Sequence, residues 1–262
     1  MIAATVQCDV DGIPKGSHCA IVCFTSRAYE PLELVSLLAP EHVLPFALLV
    51  ALAVLLCVAA RRAPGRWIDG VAAILAVVLV IAELSWQPYV IANHAWSPGA
   101  SLPVQLCDVG GFVAAAALVW RRLLLVEVAY FWGLGGTLQA VLTPDLQEHH
   151  FPSFPYLQFY VTHDLAILAA LFLVIGLGLR PRPGAVPRIY LLTLGFAVVV
   201  GLIDLVTGRN YMYLRVRAPG SLLEVMGPWP WYIATGAVLT LIVLVILDAP
   251  FSLSRLWGHD PG

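Results

Sequence analysis

Three side chains that can take part in chemistry stand together in the segment SLPVQLCDVGG, which leads into a long apolar run. Gln105 carries an amide, Cys107 a thiol and Asp108 a carboxyl group. A thiol becomes a nucleophile when a nearby base takes its proton, so Cys107 needs a partner. His163 is the only histidine within the apolar runs of the chain. One hypothesis is therefore a catalytic Cys/His pair, and the alternative is that Cys107 only packs, as a small hydrophobic residue does.

The elements that must position these residues are predicted to be membrane-spanning helices. The chain has 262 residues, of which 60% are hydrophobic and 11% charged, and its mean hydropathy is +0.88. A helix needs about 20 apolar residues to cross the hydrocarbon core. None of the apolar runs alternates as a membrane strand would, which predicts an all-α polytopic membrane bundle. The seven predicted transmembrane helices cover residues 43–60, 71–91, 104–120, 123–143, 157–179, 189–207 and 231–247.

The distribution of arginines predicts how the bundle is oriented, because cytoplasmic loops retain Lys and Arg. Arginines follow the first, third and fifth spans, whereas the loops 93–103 and 144–156 contain neither Lys nor Arg. The N-terminus is therefore predicted to lie outside and the C-terminus in the cytoplasm of a multi-pass protein of the cell membrane. Three arginines break this rule because they follow the sixth span on the outer side: Arg209, Arg215 and Arg217.

The same pattern divides the chain into three parts. Residues 1–42 form a polar N-terminal tail, residues 43–247 the transmembrane domain and residues 248–262 a short C-terminal tail. The sequence has no phosphate-binding glycine loop, no dinucleotide fingerprint and no basic stripe for nucleic acid. We therefore predict no cofactor and no nucleic-acid partner, and we expect membrane lipids as the partners.

Polar side chains inside the spans are costly, about 2.5–3.5 kcal/mol for Asp or Arg at a helix centre, and they usually have a function. With the orientation above, most of them fall in the outer half of the bundle, whereas Glu127 falls in the inner half. Their common depth predicts a polar cavity that opens outward. The residues assigned to this cavity are Glu83, Gln87, Gln105, Asp108, Thr137, Gln139, His163 and Asp204.

The outer arginines have two interpretations. In the first interpretation, they pair with carboxylates of the cavity, as buried membrane charges usually do. Alternatively, they bind the phosphate of a lipid head group, for which the guanidinium fork is suited. The residues assigned to substrate binding are Arg209, Asn210, Tyr211 and Arg215.

A zinc site is a further alternative. The residues that would form it are His149, His150, Asp145 and Glu148 of one outer loop together with His163 and Asp108. The chain has neither two histidines four residues apart nor a CxxC motif. The spacing is therefore not diagnostic, and we assign no metal ligands.

Several segments resemble a known family: LPVQLCDVGG, YFWGLGGTLQAVLTPDL, FPSFPYLQFYVTHDLAILAALFLV and NYMYLRVRAPGSLLEVMGPWPWYI. Together they are similar to the YwaF family of bacterial integral membrane proteins, which is related to the eukaryotic transmembrane protein 164 group. The likeness covers residues 40–247 in continuous order. For the eukaryotic group it implies acyltransferases that move fatty acyl chains onto ether phospholipids through a Cys nucleophile and a His. These positions correspond to Cys107 and His163, whereas Gln105 stands where the family often has His.

The working hypothesis is a membrane lipid acyltransferase or acyl hydrolase that acts at the outer leaflet. Cys107 would form a thioester, His163 would move the protons, and Gln105, Thr137 or Asn210 would stabilise the oxyanion. A second hypothesis is a carrier or receptor in which the carboxylates of the cavity bind a proton or cation. A zinc-dependent hydrolase, and a scaffold protein whose polar cluster only joins helices, are the remaining alternatives.

Overall fold

The computed structural model describes residues 39–97, 101–144, 146, 149–217, 223 and 225–256. All regular structure within these ranges is helical. Helix α4 continues through a π-helical turn into the short helix α5, and α6 ends in a second π-helical turn. In chain order, the elements are α1 Pro40–Arg62, α2 Trp67–Ala92, α3 Leu106–Trp120, α4 Leu123–Trp132, the π-turn Gly133–Thr137, α5 Leu138–Leu142, α6 Phe154–Leu171, the π-turn Phe172–Gly176, α7 Ala185–Thr207, the 3-10 turn Tyr211–Tyr213 and α8 Trp231–Leu256.

Six of these helical segments are long and apolar enough to cross a membrane. They are Pro40–Arg62, Trp67–Ala92, Leu123–Leu142, Phe154–Gly176, Ala185–Thr207 and Trp231–Arg255. Helix α3 is also apolar but has only 15 residues, a rise of about 22 Å, against roughly 30 Å for the hydrocarbon core. The prediction of an all-α membrane protein is confirmed, while the count of seven spans and the orientation stay predictions.

The short helix α3 is delimited by local sequence at both ends. At its start, Gln105 and Asp108 form a capping box, in which each side chain bonds the other residue's backbone N–H. At its end, Arg121 adopts a left-handed conformation with φ of 51°, which terminates a helix. Its guanidinium Nη2 lies 2.5 Å from Asp69 Oδ1, near the start of α2. The end of α3 is therefore level with the start of α2.

This pairing places the start of α3 inside the bundle. Helix α2 has 26 residues and α3 has 15, a difference of about 16 Å at 1.5 Å per residue. The first turn of α3, which carries Cys107 and Asp108, is therefore recessed by about this distance from the end of α2. The recess is the space in which the polar cavity described below is found.

Two helices form the centre of the bundle. In an 18-residue apolar stretch of the spans that contain α4 and α6, 56% and 61% of the residues are buried, against 17–22% in the corresponding stretches of the other spans. Helix α6 packs against α1, α2, α3 and α4. The π-turn of α4 joins α6 to α3, since a Cβ on Gly133 would lie 3.4 Å from Ala170 Cβ and one on Gly136 would lie 3.0 Å from Leu106 Cδ2. The absent side chains let these helices approach closely.

Arginines gather at one end of the bundle, hereafter the arginine end. Glu127 of α4 is completely buried and forms hydrogen bonds of 2.9–3.0 Å with the guanidinium groups of Arg182 and Arg188. The hydrogen bond with Glu127 raises the pKa of Arg182. Arg255 of α8 donates to the carbonyl oxygen of Pro181 at 3.1 Å. The predicted inner position of Glu127 thus coincides with a site that anchors the loop between α6 and α7.

The orientation is testable at this loop. Pro183 is exposed, so a Pro183→Cys variant presents a thiol there. Because the arginine distribution predicts a cytoplasmic loop, an impermeant thiol reagent is expected to leave this cysteine unmodified in intact cells and to modify it after permeabilisation. Modification in intact cells, beyond that of the parent protein, would reverse the predicted orientation.

Candidate functional site

A polar cavity of about 160 Å³ lies in the recess above the first turn of α3. It is formed by the last turns of α2, the segment that leads into α3, the first turns of α3 and α6, and Tyr211. The lining residues are Glu83, Trp86, Gln87, Ser101, Leu102, Pro103, Gln105, Asp108, Gln158 and Tyr211. The structure thus brings together five of the residues that the sequence assigned to the cavity or to substrate binding. His163, Asp204, Thr137 and Gln139 are not among the lining residues.

Gln105 and Asp108 cap the start of α3. The Asp108 carboxylate accepts a hydrogen bond from the Gln105 backbone N–H at 3.1 Å. The Gln105 side chain accepts from the backbone of Asp108, and its Oε1 also accepts from the Met212 N–H at 3.0 Å. The pair therefore caps the helix and ties it to the 3-10 turn Tyr211–Tyr213. Both side chains still border the cavity.

Glu83 is the most isolated acid of the cavity. It is 7% exposed, and its carboxylate has no hydrogen bond or ion pair with any other residue that the structure describes. Asp108 is close enough to interact with it electrostatically. Two acidic side chains thus face one cavity, and no arginine or lysine is among its described lining residues.

Gly111 makes the space for this carboxyl group. A Cβ on Gly111 would lie 2.0 Å from Glu83 Oε1, far inside van der Waals contact, whereas a Cβ on the adjacent Gly110 would have nothing within 4 Å. Gly111→Ala is therefore expected to displace Glu83 and to lower the thermal unfolding temperature in detergent. Gly110→Ala is the matched control, because alanine favours a helix by about 1 kcal/mol over glycine and meets no obstacle there.

The cause of the loss can be isolated by a double substitution. Glu83→Ala removes the atoms that clash. Gly111→Ala should therefore lower the unfolding temperature much less in the Glu83→Ala background than in the parent protein. Equal losses in the two backgrounds would mean that Gly111→Ala acts through something other than Glu83.

Cys107 lies in the first turn of α3 and is partly buried. Its side chain interacts with that of Thr137 in the π-turn of α4, and Thr137 is only 2% exposed. The preceding residue, Leu106, packs against Gly136 of the same turn. Cys107 therefore lies at the contact that joins α3 to α4, and it is not among the residues that line the polar cavity, although the next residue, Asp108, is.

His163 has one ring nitrogen fixed by its own helix. Its Nδ1 lies 2.8 Å from the carbonyl oxygen of Phe159, and its ring stacks on the Phe159 ring with 4.2 Å between centroids. Since a carbonyl only accepts, Nδ1 carries the hydrogen, and Nε2 of the neutral ring is the acceptor. Within the described part of the chain, no hydrogen bond joins His163 to Cys107. Their helices, α6 and α3, pack against each other.

Asp204 holds the 3-10 turn in place. Its side chain is completely buried, and Oδ1 accepts the Tyr211 backbone N–H at 2.7 Å. The Tyr211 hydroxyl group in turn accepts the Leu102 N–H at 3.1 Å. Asp204 thereby positions a wall of the cavity from the end of α7. Its second oxygen, Oδ2, has no hydrogen-bond partner among the described residues.

Arg209 and Arg215 do not neutralise these acids. Arg209 and Arg215 are exposed, and neither forms an ion pair with a carboxylate among the described residues. Arg215 Nη1 donates to the backbone oxygens of Asp204 at 3.3 Å and of Arg209 at 3.4 Å. The Asn210 side chain shapes the same loop, since its Oδ1 accepts the Arg215 N–H at 2.8 Å and its Nδ2 donates to the Val216 oxygen at 2.7 Å.

The residues proposed for a zinc site are dispersed where they are described. His149 and His150 are exposed, and His150 Nδ1 lies 3.3 Å from Glu41. Asp145 and Glu148 lie outside the described residues. Within the described ranges, no group of three His, Cys, Asp or Glu side chains has the arrangement of a metal site.

A second, larger cavity of about 750 Å³ lies between α1 and α6. Its lining is apolar apart from a few side chains, including Glu41 and Asp164. Neither Cys107 nor His163 lines it. Asp164 thus faces a different cavity from the one that Gln158 of the same helix borders.

Sequence reasoning did not assign Trp86, Ser101 and Gln158 to the site. The sequence could have indicated Gln158, because this residue is an amide near the start of an apolar run. Its Nε2 lies 3.5 Å from the Ala82 oxygen, which links α6 to α2 beside Glu83. The sequence could not have indicated Ser101, since its position in the site depends on how the loop before α3 folds back. The Ser101 backbone oxygen accepts a hydrogen bond from the Gln87 side chain at 2.7 Å.

These helices and this cavity define a multi-pass α-helical membrane protein with an acidic polar site recessed at one end. A family model described as the TMEM164 family matches residues 37–248. The chain therefore belongs to the TMEM164 family, as the predicted relation to the transmembrane protein 164 group implied, while the YwaF grouping stays a prediction. Comparisons with curated proteins and with solved structures gave no significant match.

Proposed function

We propose that this protein is a membrane lipid acyltransferase in which Cys107 is the nucleophile and His163 the general base. The observation that carries the proposal is the position of Cys107 in the recessed first turn of α3, next to Asp108, which lines the polar cavity, and on a helix that packs against the one bearing His163. The Phe159 carbonyl oxygen fixes Nδ1 of His163, which leaves Nε2 to accept a proton. Family membership agrees with this chemistry, because the resemblance implies the same Cys and His.

The reaction has two transfers. In the first, His163 Nε2 takes the Cys107 proton while Sγ attacks the ester carbonyl of a phospholipid; the C–O bond breaks, and the leaving alkoxide receives the proton from His163. In the second, His163 deprotonates the acceptor hydroxyl, which attacks the thioester carbonyl; the C–S bond breaks and the thiol is restored. Water in place of the acceptor would give hydrolysis.

Two groups are suited to stabilising the tetrahedral oxyanion. Thr137 has a hydroxyl group that interacts with Cys107. Gln105 uses its oxygen in hydrogen bonds, whereas its amide nitrogen has no hydrogen bond to another described residue. Asn210 is less suited because its side chain is engaged in the loop. The exposed guanidinium groups of Arg209 and Arg215 are the candidates for the lipid phosphate.

Glu83 favours a second candidate function, a carrier or receptor for a cationic ligand. Glu83 is 7% exposed, and a buried carboxyl group that has no partner among the described residues is costly unless a proton or a cation accompanies it. Asp108 adds a second acid to the same cavity. In this case no covalent intermediate would form on Cys107.

Purified protein in lipid nanodiscs, incubated with phospholipid labelled in its acyl chain, distinguishes the two candidates. Acyl transfer predicts a labelled peptide that contains Cys107 and that hydroxylamine cleaves, as thioesters are cleaved. A label on another residue would contradict the assigned nucleophile. Absence of turnover across lipid classes, combined with saturable binding of a cationic ligand that Glu83→Gln abolishes, would favour the carrier.

A further inference from the structure

A third cavity, remote from the candidate site, lies where α3 meets α4. Its volume is about 500 Å³, and its lining residues are Trp120, Arg122, Leu124 and Leu125. The residue between the first two, Arg121, contacts the start of α2 through Asp69. The cavity therefore belongs to the arginine end of the bundle, opposite to the recess that contains Glu83.

The two adjacent arginines at this junction, Arg121 and Arg122, differ in the contacts of their side chains. Arg121 is bound to Asp69 at 2.5 Å. Arg122 is exposed, and its guanidinium group has no hydrogen bond or ion pair with another residue of the described ranges. None of the residues described as lining the cavity carries a carboxylate. One guanidinium group is thus available to an anion from outside the chain.

The remaining lining is apolar and open to the surroundings. Trp120 is 65% exposed and Leu124 is 42% exposed. Tryptophan at a helix end is typical of the membrane–water interface, where its ring contacts both acyl chains and head groups. A site with one free cation and an adjoining apolar surface suits an amphiphile that carries a negative charge.

We propose that this cavity binds an anionic phospholipid, with its phosphate on Arg122 and an acyl chain along Leu124 and Leu125. Guanidinium matches the geometry of a phosphate through paired N–H donors. Charge selects the lipid class, because a zwitterionic head group would bring an ammonium group next to Arg122 with no carboxylate in the lining to receive it. Basic pockets between transmembrane helices are known to hold such head groups. The proposal does not depend on acyl transfer.

The test uses the whole protein in phosphatidylcholine nanodiscs that contain a minor fraction of phosphatidylglycerol. Native mass spectrometry then measures which lipids stay bound after release from the nanodisc. The parent protein is expected to retain phosphatidylglycerol in excess of its share. Arg122→Gln is expected to lower this preference about fivefold, the ratio that corresponds to about 1 kcal/mol for one cation near the membrane surface.

Three further measurements make the result specific. Arg62→Gln removes an exposed arginine of the same end that does not line the cavity, and it should leave the preference unchanged. An equal loss in Arg62→Gln would overturn the proposal in favour of general attraction to a basic surface. Trp120→Ala should weaken retention of phosphatidylglycerol as well. Displacement of the lipid by free glycerol phosphate at comparable concentration would also overturn it, because the site would then recognise phosphate without a chain.

Discussion

Cys107→Ala is expected to reduce acyl transfer by more than about a thousandfold while the protein stays folded, because the thioester cannot form without the nucleophile. His163→Ala is expected to cost about a hundredfold to ten-thousandfold, the range for loss of a general base. The double variant should be no slower than Cys107→Ala alone, since the two residues act as one unit. The measurement is turnover of labelled phospholipid by purified protein in nanodiscs.

Cys57→Ala is the matched control for this prediction. Cys57 is the other described free cysteine, and it is buried in α1, where its thiol donates to the Leu171 oxygen at 3.5 Å. Its removal should leave turnover nearly unchanged. Full turnover by Cys107→Ala would exclude Cys107 as the nucleophile. Additive losses in the Cys107/His163 double variant would show that the two residues do not share a step.

Glu127→Ala is expected to lower the free energy of unfolding by about 3 kcal/mol, the lower end of the range for breaking a buried ion pair. Glu127 is completely buried, whereas the side chains of Arg182 and Arg188 are 42% and 36% exposed. Water can therefore solvate the two arginines in part after the carboxylate is lost, which keeps the cost from being larger. The measurement is denaturant unfolding in detergent, followed by the fluorescence of the buried Trp132.

The control for Glu127 is an ion pair at the same end of the bundle. Asp69→Asn breaks the contact with Arg121, whose side chain is 36% exposed, while that of Asp69 is 72% exposed. Exposed pairs contribute about 0–1 kcal/mol, so this variant should stay within that range. If Asp69→Asn costs as much as Glu127→Ala, burial is not the reason for the stability of the Glu127 cluster.

The local sequence by itself determined the helices and the class of protein. Each predicted span overlaps a helix, because an apolar run of sufficient length satisfies its backbone only within itself in a membrane. The start of α3 is likewise local, since Gln105 and Asp108 are three residues apart and cap the same turn. The acids Glu83 and Asp108 were assigned to a common cavity from their depth alone, and depth follows from the position of a residue along its helix.

Only the tertiary structure decided which side chains meet across helices. The recess above α3 results from the contact between Arg121 and Asp69, and the position of Glu83 depends on the absent side chain of Gly111. The predicted depths of His163 and Asp204 are similar to that of Glu83, yet neither residue lines its cavity. The physical reason is that depth is set by distance along the chain, whereas neighbours are set by the rotation and tilt of each helix. Those two quantities follow from packing between segments that are far apart in the sequence.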